Sequence, residues 1–204
     1  MDLLQVIKSR RDTRHFTGEI VPKAVLDRAL EAALHAPSVG LSQPCRFIDI
    51  SSSSREALIE NFANKRLLAE MEIDDQRRLA LHRSIKLESL ADAPILLAIF
   101  CAYPVDEYTI GVIGNRRALE WSCACAIQNL WLLLTAEGFG AGWVTILDLQ
   151  ALAAKLDVPS NWEAMGIICI GKPATDYEGK PMLEQMAWQN RDLNSDHFYS
   201  SKRI

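Results

Sequence analysis

From residue 117 to residue 137 the chain runs without a proline or glycine. It is apolar on nearly every side there, with Trp121, Ile127, Leu130, Trp131, Leu133 and Leu134 among its residues. An ordinary surface helix carries one apolar stripe, whereas a helix that is apolar all round has to be covered all round. The segment therefore predicts a central helix around which the rest of the fold is built. At 204 residues, 49% of them hydrophobic and 24% charged, the chain can bury a sizeable core as one domain spanning residues 1–204.

The other elements follow from periodicity. Residues 2–10 read as a helix capped by Asp2, and residues 23–35, with Val25, Leu26, Ala29, Leu30 and Ala33 at helical spacing, as an amphipathic one. Residues 37–44 are a loop by composition, and residues 46–50 alternate like a half-buried strand. Residues 54–91 are charged and helix-prone and are interrupted by an acidic patch at 70–75. This predicts two or three helices and a candidate lid at 62–83. The continuous apolar run 94–101 suits a central strand covered on both faces. Gly138, Gly140 and Gly142 are expected to turn the chain into a strand at 143–147. A short helix at 149–156 capped by Asp148 and a strand at 164–170 come next. Residues 175–204 lack helical or strand periodicity, apart from a turn around 183–188, and form an extended tail suited to reaching a neighbour.

A formal charge of −4 gives no general attraction to nucleic acid or anionic membranes, and no apolar run is long enough to span a bilayer. The N-terminus is too short and polar for a signal-peptide core, so a cytoplasmic location is expected. Five cysteines among apolar neighbours read as reduced core thiols, and the four histidines show no metal spacing. No serine sits in a nucleophile elbow. The glycines at 138–142 precede a strand, which excludes a dinucleotide-binding fingerprint.

Against this acidic background, residues 8–16 stand out, with Lys8, Arg10, Arg11 and Arg14 around the single carboxylate of Asp12. Arginine forks match phosphate oxygens, and alternation in an extended segment would set Arg10, Asp12 and Arg14 on one face and Arg11 on the other. On the cluster alone, a phosphate site and a solvated basic turn are equal readings. A phosphate site with few acid–base groups suits a bound cofactor that carries the hard chemistry, such as a flavin.

Four segments, taken together in their order and spacing, resemble the nitroreductase-like flavoproteins. They are Arg10-Arg11-Asp12-Thr13-Arg14-His15-Phe16, the loop 36–44, Ala126-Ile127-Gln128-Asn129-Leu130, and residues 137–148. The likeness covers residues 6–173. It implies an α+β fold with a central mixed, mainly antiparallel sheet flanked by helices, and an entwined homodimer with FMN at the interface. Carried over by position, Arg10, Arg11 and Arg14 resemble the phosphate and ribityl ligands. Pro37, Ser38 and Val39 resemble the loop that lines the flavin from the partner chain. Lys86 and Leu87 fall near the pyrimidine or ribityl side, Thr145 and Ile146 at the strand end facing the ring, and Arg191 as a late phosphate contact.

Within that family, Asp12, Val39-Gly40, Lys86-Leu87-Glu88, Ala93-Pro94 and residues 142–147 look most like the 5,6-dimethylbenzimidazole synthase branch. Those enzymes fragment reduced FMN with dioxygen to dimethylbenzimidazole, the cobalamin lower ligand, and erythrose 4-phosphate. FMN is then the substrate, and a separate flavin reductase is the implied partner. The resemblance makes Asp12 and Thr145 the catalytic candidates, with an ion-pair partner and a plain β-branched strand residue as the bland alternatives. This chain has Thr145 where the branch usually carries Ser, and residues 111–120 lack the branch's Pro-Glu-Thr-Asp-like stretch. The alternatives are an NAD(P)H-dependent FMN nitroreductase or related reductase, and a flavin-binding carrier without turnover.

Overall fold

A computed structural model describes residues 2–104, 109–175 and 179–192. The elements in chain order are α1 (Leu3–Ser9), α2 (Lys23–Leu34), β1 (Cys45–Asp49), α3 (Arg55–Met71), α4 (Gln76–Ser84), β2 (Ile95–Ala102), α5 (Ala118–Ala136), β3 (Gly140–Val144), α6 (Leu149–Lys155), β4 (Trp162–Gly171) and α7 (Met182–Gln185). Asp2 and Asp148 cap α1 and α6 as expected, accepting from the N–H groups of Gln5 and Ala151 at 3.0 and 2.9 Å. Asp75, from the acidic patch, caps α4 in the same way.

The strands lie in the order β1-β2-β4-β3, and every neighbouring pair is antiparallel. Among the described residues the parallel component is one isolated bridge at the β3 edge, between Asp12 and Ala141. The two middle strands, β2 and β4, are apolar almost throughout because both their faces are covered. Side chains alternate between faces along a strand, so the sheet separates two cores. Leu97, Ile99, Ile168 and Ile170 pack with Ala29 and Ala33 of α2 and Ile127, Leu130 and Leu134 of α5. Leu96, Ala98, Phe100, Ile167 and Cys169 pack with Leu58 and Phe62 of α3 and Leu152 of α6.

Helix α5 matches the predicted central helix, but a single chain covers only part of it. Trp121 is 55% exposed, and Ala124, Cys125 and Gln128 share that outward stripe. Cys123 is buried and Cys125 exposed, as a two-residue separation on a helix requires. The helix ends at Ala136 with Glu137 as its C-cap, and Gly138, with φ of +79°, makes the left-handed turn that follows.

The expected strand at 143–147 is displaced. β3 starts at Gly140, runs through the glycines and ends at Val144, so Thr145 and Ile146 lie just beyond it. Gly140 and Gly142 belong to the strand because segment 12–14 lies directly against them. A Cβ at Gly142 would meet the Thr13 carbonyl oxygen at 2.2 Å, and one at Gly140 the Thr13 hydroxyl at 2.5 Å. The predicted loop at 103–115 and the tail beyond 175 lie partly outside the described residues. Among the described residues no helix is long and apolar enough to cross a membrane.

Candidate functional site

The N-terminal arginine segment is attached to the edge of the sheet. The Thr13 N–H donates to the Ala141 carbonyl at 2.8 Å, and the Ser89 hydroxyl donates to the Thr13 carbonyl at 3.3 Å. These contacts fix the direction of each side chain between them. Asp12 Oδ1 accepts from the Trp143 N–H at 3.0 Å. Arg14 Nη2 donates to Asp12 Oδ2 at 2.5 Å and to the Trp143 carbonyl at 2.9 Å. The Arg14 side chain is 8% exposed and that of Asp12 46%, so the pair has a buried cationic end and an accessible carboxylate.

Arg10 stacks its guanidinium 4.7 Å from the centre of the Trp131 ring on α5. Its pKa is lowered from the ordinary arginine value, first by burial. Asp12 opposes that shift and the nearby charge of Arg191 adds to it. Among the described residues neither Arg10 nor Arg191 enters an ion pair. Two cations close enough to disfavour each other, one of them partly desolvated, make a place that an anion would stabilise.

Arg11 points elsewhere. Its guanidinium donates to the carbonyls of Lys8 and Arg10 at 2.6 and 2.7 Å and to that of Gly179, and it lines a separate cleft of about 420 Å³ with Phe139 and Lys172. The alternation read from the sequence is therefore present: Arg10, Asp12 and Arg14 fall together and Arg11 on the other side.

The loop after α4 runs beside this edge. Lys86 is half-buried and paired with Asp92, while Leu87 packs on the same core as Ile146. Thr145 is exposed, Ile146 half-buried, and both follow directly on Trp143 and Val144. Cys169 lies beneath Arg14, Asp12, Ser89 and Glu88. Burial pushes its thiol up to about 12, which keeps it neutral and makes it a floor, not a nucleophile. Cys101 and Cys123 are raised as well. The largest influence on each is a hydrogen bond between their thiols, which raises Cys101 and lowers Cys123; for Cys123 a bond from Cys45 and burial outweigh it. Among the described residues no group of His, Cys, Asp or Glu is arranged to hold a metal ion.

Pro37, Ser38 and Val39 are not brought to Arg10 within one chain. The Val39 N–H donates to the Ser122 hydroxyl at 3.0 Å. Ser122 and Trp131 are nine residues apart on α5, about 14 Å along a helix axis. Three contributors were missed in the sequence: Trp131 as the platform under Arg10, Ser89, and Trp143. Trp143 acts through its main chain, for which no side-chain signal exists.

Residues 7–172 match the Nitroreductase family. The chain belongs to the nitroreductase family. Among curated relatives, a 5,6-dimethylbenzimidazole synthase of Rhodospirillum rubrum is 36% identical over 183 residues, covering 89% of this chain and 86% of the relative. A protein of the same name from Rhodobacter capsulatus is 33% identical over 189 residues, covering 92% and 90%. Among solved structures, oxidised iodotyrosine deiodinase bound to FMN and 3-iodo-L-tyrosine superposes with a TM-score of 0.72 at 21% identity, covering 97% of this chain and 100% of that one. A Bacteroides fragilis nitroreductase with bound FMN gives 0.63 at 23% identity, covering 98% of each chain. The nitroreductase fold thus extends over nearly the whole molecule, with the Arg10–Asp12–Arg14 edge inside the matched region.

Proposed function

We propose that this nitroreductase-family protein is a 5,6-dimethylbenzimidazole synthase-like enzyme, for which reduced FMN is a substrate fragmented with dioxygen. The observation that carries the reading is the surplus of arginine on one face of Asp12, a phosphate-shaped donor set beside an accessible carboxylate. Relatives of that name, matched over most of both chains, support the choice of reaction. The residues fit FMN: Arg10 and Arg14, with Arg191, hold the phosphate, and Thr145, Ile146, Lys86 and Leu87 border the ring and ribityl chain. Arg11 orders the segment by gathering main-chain carbonyls.

FMN, when bound, supplies the electrons and the ring carbons of the product. The protein's part is to hold the substrate and to manage protons. Asp12 is fixed by the Trp143 N–H and Arg14, so its carboxylate is directed before the ligand arrives and serves as proton acceptor beside the ribityl chain. The Thr145 hydroxyl is exposed at the same edge and keeps the donor that a serine would offer there.

The enzyme acts as a homodimer. Val39 and Arg10 sit at opposite ends of α5, and the outward stripe around Trp121 would be covered by a second copy, whose loop 37–39 then reaches this chain's site. The α3–α4 hairpin, including residues 62–83, acts as the lid. Five free cysteines support a reducing cytoplasm as the setting, and a separate flavin reductase would be the source of reduced FMN.

The test is to mix the protein with excess chemically reduced FMN, admit air and analyse the small molecules by mass spectrometry. Dimethylbenzimidazole should form in proportion to the FMN lost. Asp12→Asn should bind FMN normally and lower product formation by about 10²–10⁴-fold. Full recovery of FMN from the wild type, with NADPH oxidation in its place, would replace this reading with the reductase one.

A further inference from the structure

The segment after Gly179 runs over the surface as a strap that touches three parts of the molecule. At its start the Gly179 carbonyl accepts from Arg11. In its middle, Trp188 lies on α4. The Arg78 guanidinium sits 4.9 Å from the centre of the indole, Arg78 Nη1 donates to the Trp188 carbonyl at 3.0 Å, and the indole meets the His82 ring at 6.0 Å and 57°. The strap is folded tightly here. The Trp188 N–H donates to the Leu183 carbonyl at 2.9 Å, and Ala187 takes a positive φ of 55° to allow it.

Helix α4 is itself tied to α3, so the two move as one hairpin. Glu70 of α3 accepts from Arg83 at 2.8 Å and Arg66 at 3.2 Å, and Arg66 also donates to the carbonyls of His82 and Arg83 at the end of α4. Three residues beyond Trp188, within about 11 Å of extended chain, comes Arg191, whose charge is felt at Arg10. Arg191 is exposed, and among the described residues no ion pair holds it. A long cationic side chain at the end of a loose segment would lose much conformational entropy on meeting a phosphate. The indole is what spares it that loss.

We propose that Trp188 is a positioning residue: by clamping the strap onto Arg78 and His82 of α4, it holds Arg191 beside Arg10 for the phosphate of FMN. This rests on the FMN reading above. It also joins the hairpin proposed as a lid to the phosphate end of the ligand through one aromatic side chain.

The experiment compares equilibrium binding of oxidised FMN and riboflavin, which differ by the phosphate, to the full-length chain and its variants. The wild type should prefer FMN. Trp188→Ala should weaken FMN binding about tenfold and leave riboflavin binding unchanged, because one charge-assisted contact is lost. Trp188→Phe, which keeps a ring for Arg78, should restore most of the difference. Arg78→Ala, an exposed change on the other side of the contact, should repeat the loss. Trp188→Ala combined with Arg191→Ala should bind FMN no more weakly than Arg191→Ala alone. A wild-type FMN-to-riboflavin ratio in Trp188→Ala, an equal loss of both ligands, or full additivity with Arg191→Ala would each overturn the role of Trp188 and leave the FMN site standing. Absence of any FMN preference in the wild type would overturn the phosphate site and this proposal together.

Discussion

The two sides of the sheet are covered in different ways. On one side α5 presents Leu119, Cys123, Ile127, Leu130 and Leu134, all buried, and packs with Ala29 and Ala33 of α2 in continuous apolar contact. On the other, the seventeen residues of α3 bury only Leu58, Phe62 and Glu70, and α4 buries only His82. There the hairpin is tied to itself mainly by the arginines around Glu70. Apolar packing is lost all at once when it is lost, whereas a helix held by a few anchors and ionic contacts can lift while the sheet stays folded. The lid proposed above needs this difference, since the α5 side has to stay folded while the α3–α4 hairpin opens.

Three measurements would break or sharpen that contrast, from the largest expected effect to the smallest. Leu130→Ala, at a fully buried α5 position, should cost about 2–5 kcal/mol of global stability in urea unfolding. A cost under about 1 kcal/mol would mean that the α5 side is not the rigid one. In native-state hydrogen exchange, α4 amides should exchange on the order of a hundredfold faster than those of α5, through local opening. Equal protection would remove the lid.

The smallest effect concerns Glu70. Its carboxyl is held below the usual 4.5, first by the Arg83 hydrogen bond, with burial opposing and Arg66 assisting. A depressed carboxyl contributes stability that is fully present above its ordinary value and disappears as pH falls through the folded value. The melting-temperature gap between wild type and Glu70→Gln should therefore be widest at neutral pH and close below about pH 4.5. A gap independent of pH would make Glu70 a packing residue only.

Much of this was legible in the sequence because it depends on local pattern. The apolar helix, the Asp2 and Asp148 caps, the central strand at 94–101 and the grouping of Arg10, Asp12 and Arg14 follow from periods of 3.6 and 2 and from side-chain chemistry. The start of β3 did not, because glycines are read as turns unless the segment that packs on them is known, and that segment is more than a hundred residues away. The roles of Trp143 and Ser89 rest on main-chain atoms or a long-range contact, and neither leaves a compositional trace. The strap was visible only as a tail without periodicity apart from a turn around 183–188, where α7 and the Trp188 to Leu183 bond lie. What gives Trp188 its place is the surface of α4.

The approach of Thr13 to Gly142 also bears on how such a site can change over generations of mutation. Asp12 and Arg14 flank the one residue whose carbonyl fills the space above Gly142, so any side chain introduced there would push both out of place together. Position 142 is then a single point of failure that itself contributes no side chain to the binding face. Changes of specificity meet less steric resistance around it, in the loops and the strap, than at that glycine.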